Sequence, residues 1–319
     1  MDRISYIIPC YCSVHTISQV VEEIQEEMKS VLSHYDYEII LINDSSPDTT
    51  METITELANQ YEKVMGINLS KNFGQHAALM AGLRQASGDL MVCLDDDGQT
   101  PANEVHRLIQ AIEAGYDVVY ARYGQKKHSL FRNFGSRMNE LMARALLDKP
   151  KDLYISSYFV AKRYVIDHVI QYENSYPYVI GLVLRTTKKI GNVDVLHRER
   201  TCGESGYTLH KLLSLWINGF TAFSIKPLRL ATLSGFICAM VGFGYGVYTV
   251  VKKFVNPLVP MGFSSTMAAL MFIGGMLMLM LGLIGEYIGR IYISLNNAPQ
   301  YVIRERVGDN KRLDDEQKD

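Results

Sequence analysis

Leu90-Met91-Val92-Cys93-Leu94-Asp95-Asp96-Asp97-Gly98-Gln99-Thr100-Pro101 is an apolar run that ends in three consecutive carboxylates. Five apolar residues in a row read as a strand buried on both faces. A buried strand that ends in clustered acids carries negative charge to the rim of a sheet. Hard divalent cations take carboxylate oxygens and share their remaining positions with substrate phosphates, so the triplet points to a phosphorylated partner. Acids also favour the first turn of a helix, and Pro101 is suited to open one, but three acids exceed what a cap needs.

Outward from this stretch, residues 1–122 alternate between short apolar runs and amphipathic segments, which is α/β architecture. Ile4 to Pro9, Tyr37 to Ile42, Val64 to Leu69, Leu90 to Leu94 and Val118 to Ala121 read as strands. The intervening segments have helical spacing, as in Ile17, Val20, Val21, Ile24 and Met28. Such alternation implies right-handed crossovers and a mainly parallel sheet whose ligands lie beyond the carboxyl ends of the strands. Polar residues gather at those ends: Tyr11, Asn43-Asp44-Ser45-Ser46, Ser70-Lys71-Asn72 and the Asp triplet.

The last third is composed differently. No charged residue occurs from Leu230 to Val251 or from Phe254 to Gly285, and each run exceeds the ~20 residues a helix needs to cross a bilayer core. Pro257 and Pro260 mark the connection. The expectation is a hairpin of two membrane helices, 230–251 and 264–289, joined by a loop at 252–263, with a cytoplasmic tail at 290–319. Lys226, Arg229, Arg290, Arg304 and Arg306 flank its open end as cytoplasmic flanks do, although Lys252 and Lys253 weigh the other way. With no apolar leader before the first strand, the catalytic part, 1–225, is expected on the cytoplasmic side of an inner membrane. Charges at 11 of the 16 positions after Ile303 read as disorder.

Five cysteines without a Cys-x-x-Cys pair read as reduced thiols, and Cys10, Cys12 and Cys93 as small hydrophobes. A net charge of −2 gives no reason to expect nucleic acid. The methionines from Met267 to Met280 read as lipid-facing. Gly274-Gly275, Gly282, Gly285 and Gly289 have spacing that permits close helix contact and a homo-oligomer. Glu286 pairs with Arg290 at i and i+4. Residues 128–147 interleave His128, Arg132, Arg137 and Arg144 with apolar residues, and 209–223 repeat the pattern around Lys211 and Trp216. Both read as interfacial helices, and for the second core packing is the alternative.

Pro9-x-Tyr11, Asn43-Asp44-Ser45-Ser46-Pro47-Asp48, Ser70-Lys71-Asn72-Phe73-Gly74-Gln75-His76 and Asp95-Asp96-Asp97-x-Gln99-x-Pro101 occur in the order seen in glycosyltransferase family 2. Arg200-x-x-Gly203-x-Ser205 and Ser224-x-x-Pro227-Leu228-Arg229 resemble elements of its polyprenyl-phosphate branch. The resemblance implies a GT-A type, Rossmann-like sheet followed by interfacial helices and a transmembrane hairpin. It implies inverting transfer of a sugar from a nucleotide sugar, a UDP-sugar in first place, to a polyprenyl phosphate at the bilayer. It also implies a Mg²⁺ or Mn²⁺ held by Asp95 and Asp97. Pro9, Tyr11, Asp44, Lys71, Asp95, Asp96 and Gln99 are then donor-binding, with Asp44 at the base and Lys71 near the diphosphate. Ser136, Arg137, Arg200 and Ser205 are expected at the lipid phosphate, with Arg200 joining Asp95 and Asp97 as catalytic.

Three departures stand out. Cys12-Ser13 replaces a common Asn-Glu, Gly206 replaces a common lysine, and Ile155-Ser156-Ser157-Tyr158-Phe159 lies where many relatives carry an acid. A serine cannot replace a carboxylate as base, so the already anionic acceptor phosphate is expected to attack unaided. His76 is open between a diphosphate contact and a structural role. Extension of another glycan or glycolipid, or a silent scaffold, are the competing readings.

Overall fold

The computed structural model describes residues 2–98, 100–123, 152–175, 177–196, 226–255, 262–295 and 299–308. The chain divides into two units, residues 1–206 with 297–319, and residues 207–296.

In the first unit, all five strands read from the sequence form: β1 (Arg3–Cys10), β2 (Asp36–Asn43), β3 (Val64–Leu69), β4 (Leu90–Cys93) and β5 (Val118–Tyr123). Three more complete the sheet: β6 (Phe159–Lys162), β7 (Ile190–Val195) and β8 (Ile303–Val307). The order is β7-β5-β6-β4-β1-β2-β3-β8. Strand β1 pairs parallel with β2 and β4, β2 with β3, and β5 with β7. Antiparallel pairing joins β6 to β4 and β5, and β8 to β3.

The helices α1 (Ile17–Ser30), α2 (Thr50–Gln60), α3 (Gln75–Gln85), α4 (Val105–Glu113), α5 (Arg163–Ile170) and α6 (Val179–Thr186) pack on this sheet. The stripe Val105, Leu108, Ile109 and Ile112 of α4 recurs at i, i+3, i+4 and i+7 and is buried, at about 1.5–3 kcal/mol per side chain. Helix α3 is buried from Ala77 to Leu83 and rides so close to the sheet that a Cβ at Gly82 would lie 2.6 Å from Ile7 and 2.7 Å from Ile42. Small residues on α3 therefore fix its depth. Two apolar clusters result, one containing Ile8, Val21 and Ile109, the other Ile7, Ile42 and Met80.

Pro9 sits in a central strand without cost. Asp44 N–H bonds to Cys10 O and Leu94 N–H bonds to Ile7 O, so residues 7 and 9 face β4. The β1–β4 pairing stops at Ile7 and Cys93, and the missing N–H of Pro9 would have pointed at the Asp turn beyond it.

Strand β8 corrects the expectation of disorder directly after Ile303. Ile303, Glu305 and Val307 alternate with Arg304 and Arg306, and this short period-two pattern gains its strand character from pairing with β3.

The second unit holds α7 (Lys226–Val255) and α8 (Phe263–Leu295). Both outrun the expected 230–251 and 264–289. Phe236, Val241 and Phe243 on α7 and Phe272, Met278 and Leu281 on α8 are more than half exposed. Phe272–Gly289 is long and apolar enough to cross a bilayer, while the apolar part of α7, Gly235–Tyr245, is shorter. The two helices meet where a Cβ on Gly235 would lie 2.7 Å from Met280, so this methionine packs on its partner helix. Added Cβ atoms at Gly274, Gly275, Gly282, Gly285 and Gly289 would meet nothing within 4 Å.

Candidate active site

The carboxyl ends of β1, β2, β3 and β4 converge, and each sends a loop to the same rim. The three aspartates after β4 separate into distinct environments. Asp96 turns back toward the β1 loop, where its Oδ2 accepts Tyr11 N–H at 3.0 Å and the Ser13 hydroxyl. Burial raises its carboxyl above the ordinary value, against these two bonds. Asp96 thus ties β4 to β1.

Asp95 is held by neutral donors. Its Oδ1 accepts the Gln75 amide at 2.8 Å, its Oδ2 accepts the Ser157 hydroxyl, and its backbone carbonyl accepts the Thr100 hydroxyl at 3.1 Å. Desolvation, more than the opposing Ser157 bond and the added repulsion of Asp97 and Asp96, pushes its carboxyl up to about 6. Next to Asp97, Gly98 turns the chain with φ 69°, a left-handed conformation that glycine adopts without strain.

Among the described residues, no three His, Cys, Asp or Glu side chains form a ready-made metal cage. Asp95 and Asp97 are hard oxygen donors of the kind that share a divalent cation with substrate oxygens. Burial and the neighbouring acids raise the Asp95 carboxyl, and crowded, desolvated acids of this kind are stabilised by a divalent cation.

The β2 loop carries Asp44, only 4% exposed. Its oxygens accept Phe73 N–H at 2.7 Å and Gly74 N–H at 2.8 Å, so it clamps the β3 loop to the start of α3. Burial raises this carboxyl despite both bonds. An ionised carboxylate offers about four acceptor positions, so two remain for a further donor. Tyr11 is 51% exposed at the rim. The Lys71 ammonium stands 5.0 Å from the Phe73 ring centre.

Two non-glycine residues here hold left-handed backbone, Cys12 at φ 57° and Ser45 at φ 53°. Cys12 N–H donates to Ser46 Oγ at 3.0 Å, which binds the two strained loops to each other. Such conformations cost roughly 1–2 kcal/mol and persist where the surroundings fix them.

His76 remains open between the two roles, with its buried Nδ1 lacking a hydrogen-bond partner among the described residues. Its ring lies edge-on to Tyr178 at 4.9 Å, and burial lowers its pKa to about 4, which leaves it neutral at pH 7. Burial, then the fields of Asp95, Tyr154 and Asp97, raise the Tyr123 phenol far above its ordinary value, so Tyr123 remains an O–H donor beside the acids.

Gln99, Ser136, Arg137, Arg200 and Ser205 lie outside the described residues, as do all of 128–147 and 209–223. Gln75, Ser13 and Ser157 were missed as holders of the acids. Gln75 stood within a quoted motif and Ser157 in the departed one, so both positions were visible although their direction was not.

Residues 5–170 match Glycosyl transferase family 2, and residues 226–291 match the GtrB C-terminal hairpin. The undecaprenyl-phosphate 4-deoxy-4-formamido-L-arabinose transferase of Photorhabdus laumondii is 32% identical, over 99% of this chain and 98% of that protein. The one from Yersinia enterocolitica is 35% identical, over 97% and 94%. In structure, the chain resembles glucosyl-3-phosphoglycerate synthase from Mycobacterium tuberculosis, crystallised with Mn²⁺ and UDP-glucose, with a TM-score of 0.53 at 18% identity, covering 69% of this chain and 77% of that one. A Rossmann-like sheet with an acidic β4 terminus, a matched catalytic segment and a matched hairpin together show that the chain belongs to glycosyltransferase family 2.

Proposed function

We propose that this chain transfers a sugar from a nucleotide donor, a UDP-sugar in first place, to a polyprenyl phosphate of the undecaprenyl type at the cytoplasmic face of a membrane, with inversion. One observation carries it: Asp96 is committed to the β1 loop, while Asp95 is held by neutral groups at the rim of four converging strand ends. The relatives named above supply the acceptor class.

Asp95 and Asp97 would hold a Mg²⁺ or Mn²⁺, which when bound neutralises charge on the leaving diphosphate. Gln75 and Ser157 orient Asp95, and their hydrogen bonds favour its ionised form. Asp44 sets the β3 loop, and with it Lys71, for the donor. Pro9 and Tyr11 shape the nucleoside side, and Gln99 is assigned to donor binding.

Ser136, Arg137, Arg200 and Ser205 would receive the acceptor phosphate. Its oxygen is anionic at neutral pH and needs no strong base, so a serine at position 157 is compatible with direct attack once both phosphates are held in line. The acceptor's site also explains the exposed apolar helices, which need lipid.

The first unit includes residues on both sides of 207–296, which supports an even number of membrane crossings by this segment. That favours a two-pass hairpin with both flanks on the catalytic side.

The test is to incubate purified protein with undecaprenyl phosphate, Mn²⁺ or Mg²⁺ and a panel of nucleotide sugars, and to look for lipid-linked sugar by mass spectrometry. Product with one donor is the expected result. Folded protein that yields none with any donor overturns the proposal and favours a silent scaffold.

A further inference from the structure

A polar row crosses the sheet from β8 to the donor rim. Asn43, Asn68 and Glu305 lie directly opposite one another on β2, β3 and β8. The Asn68 amide donates to Glu305 Oε1 at 2.6 Å, and the Asn43 amide donates to Asn68 Oδ1 at 2.9 Å. Asn43 Oδ1 then accepts Ser46 N–H at 3.1 Å, and Ser46 Oγ accepts Cys12 N–H at 3.0 Å. Asn43 and Asn68 are 2% and 9% exposed, so an unpartnered end of either amide would be costly.

The row has a direction. A carboxylate only accepts, whereas each Asn amide has one donating and one accepting end. Glu305 therefore draws the NH₂ of Asn68 toward β8 and leaves its oxygen for Asn43. That in turn aims the Asn43 oxygen at Ser46 N–H. Strained Ser45 sits between the two groups that this last bond connects. Asp44, its other neighbour, clamps the start of α3, whose Gln75 holds Asp95.

We propose that Glu305, on the strand that follows the hairpin, is a positioning residue for the nucleoside side of the donor site, acting through Asn68 and Asn43 on the loop Asp44-Ser45-Ser46. This rests on the donor reading above. A donor group at position 305 would reverse both amides and set the Asn43 NH₂ against Ser46 N–H. Loop geometry would then fail while the sheet, paired through its backbone, remains.

The experiment compares full-length wild type with Glu305→Lys, Glu305→Gln, Arg306→Ala and the double variant Glu305→Lys/Asn68→Asp. Thermal unfolding, binding of UDP, GDP and CDP with Mn²⁺ by calorimetry, and KM for donor and acceptor are measured on each. Glu305→Lys should weaken nucleotide binding and raise the donor KM by roughly 10-fold or more, with the acceptor KM unchanged. Glu305→Gln keeps an acceptor oxygen and should stay within about 3-fold, as should Arg306→Ala. The double variant should recover most of the loss, because a carboxylate at position 68 accepts from both the introduced ammonium and Asn43. Wild-type nucleotide affinity in a folded Glu305→Lys overturns the proposal, as does a loss that follows thermal stability and is not recovered. A wild type that binds none of the three nucleotides overturns the donor reading itself, and this proposal with it.

Discussion

Ser157, two residues before β6, donates its hydroxyl to the Oδ2 of Asp95 at the end of β4. The chain has placed a neutral donor against a half-buried carboxylate. An acid there would add a fourth negative charge to the triplet. The serine instead favours the ionised form that a cation needs.

Replacing Ser157 with Ala should therefore weaken the metal site and not a proton-transfer step. Hydrogen bonds to charged groups are worth about 1.5–3 kcal/mol, so kcat/KM at pH 6.5 should fall by roughly 10-fold or more. The loss should shrink at pH 8 and with excess Mn²⁺. A loss that is equal at both pH values and indifferent to Mn²⁺ would count against this role.

In the metal-free protein, burial places the Asp95 carboxyl at about 6. At limiting Mn²⁺, activity should fall as pH drops through about 6, because the protonated acid cannot ligate, and excess Mn²⁺ should move this limb to lower pH. The stability sign is opposite. A folded-state value above the ordinary carboxylate value of about 4 means the folded protein holds this proton more tightly, so this group's contribution declines as pH rises from about 4 to about 6. Added Mn²⁺ should offset that decline, and thermal unfolding should show a larger Mn²⁺-induced rise in Tm at pH 7.5 than at pH 5.

Asp97→Asn and Asp96→Ala should separate function from structure. The first should abolish metal-dependent transfer with Tm within a few degrees of wild type. The second removes the acceptor shared by Tyr11 N–H and the Ser13 hydroxyl, leaving Tyr11 N–H only its bond to Ser13 Oγ, and should cost about 1–3 kcal/mol in denaturant unfolding. The reverse pattern would exchange their assigned roles.

Cys12 occupies left-handed backbone at φ 57°, a conformation Asn adopts more readily. Cys12→Asn should raise stability by about 1 kcal/mol, read as an increase in the denaturant midpoint. No increase would mean that its neighbours already compensate for the strain.

Gly82→Ala should destabilise by about 1–3 kcal/mol, since the new methyl meets Ile7 and Ile42 inside contact distance. Equilibrium unfolding measures it; an unchanged midpoint would show that α3 can lift off the sheet.

The five strands from β1 to β5 were legible because each is an apolar run closed by polar residues. Four-residue β6, β7 with its internal Gly191-Asn192, and charged β8 carry no such run, and pairing makes them strands. The site divides the same way. Asp95, Asp96 and Asp97 announced themselves by charge density, whereas the commitment of Asp96 to Tyr11 and Ser13 did not. The partners that hold them come from 20 to 85 positions away, and local spacing holds no trace of such bonds.

Asn68 and Glu305 are 237 positions apart, with the hairpin between them. At a synthesis rate of roughly 5–20 residues per second, β3 emerges from the ribosome on the order of tens of seconds before β8. Throughout that interval the sheet has an open edge at β3, of the kind that recruits stray strands. In the proposed two-pass topology the hairpin is handed to the membrane first, and only then can the last strand seal the sheet. Nascent chains stalled before residue 303 should therefore be clients of chaperones, and lesions in membrane insertion should surface as aggregation of the catalytic unit.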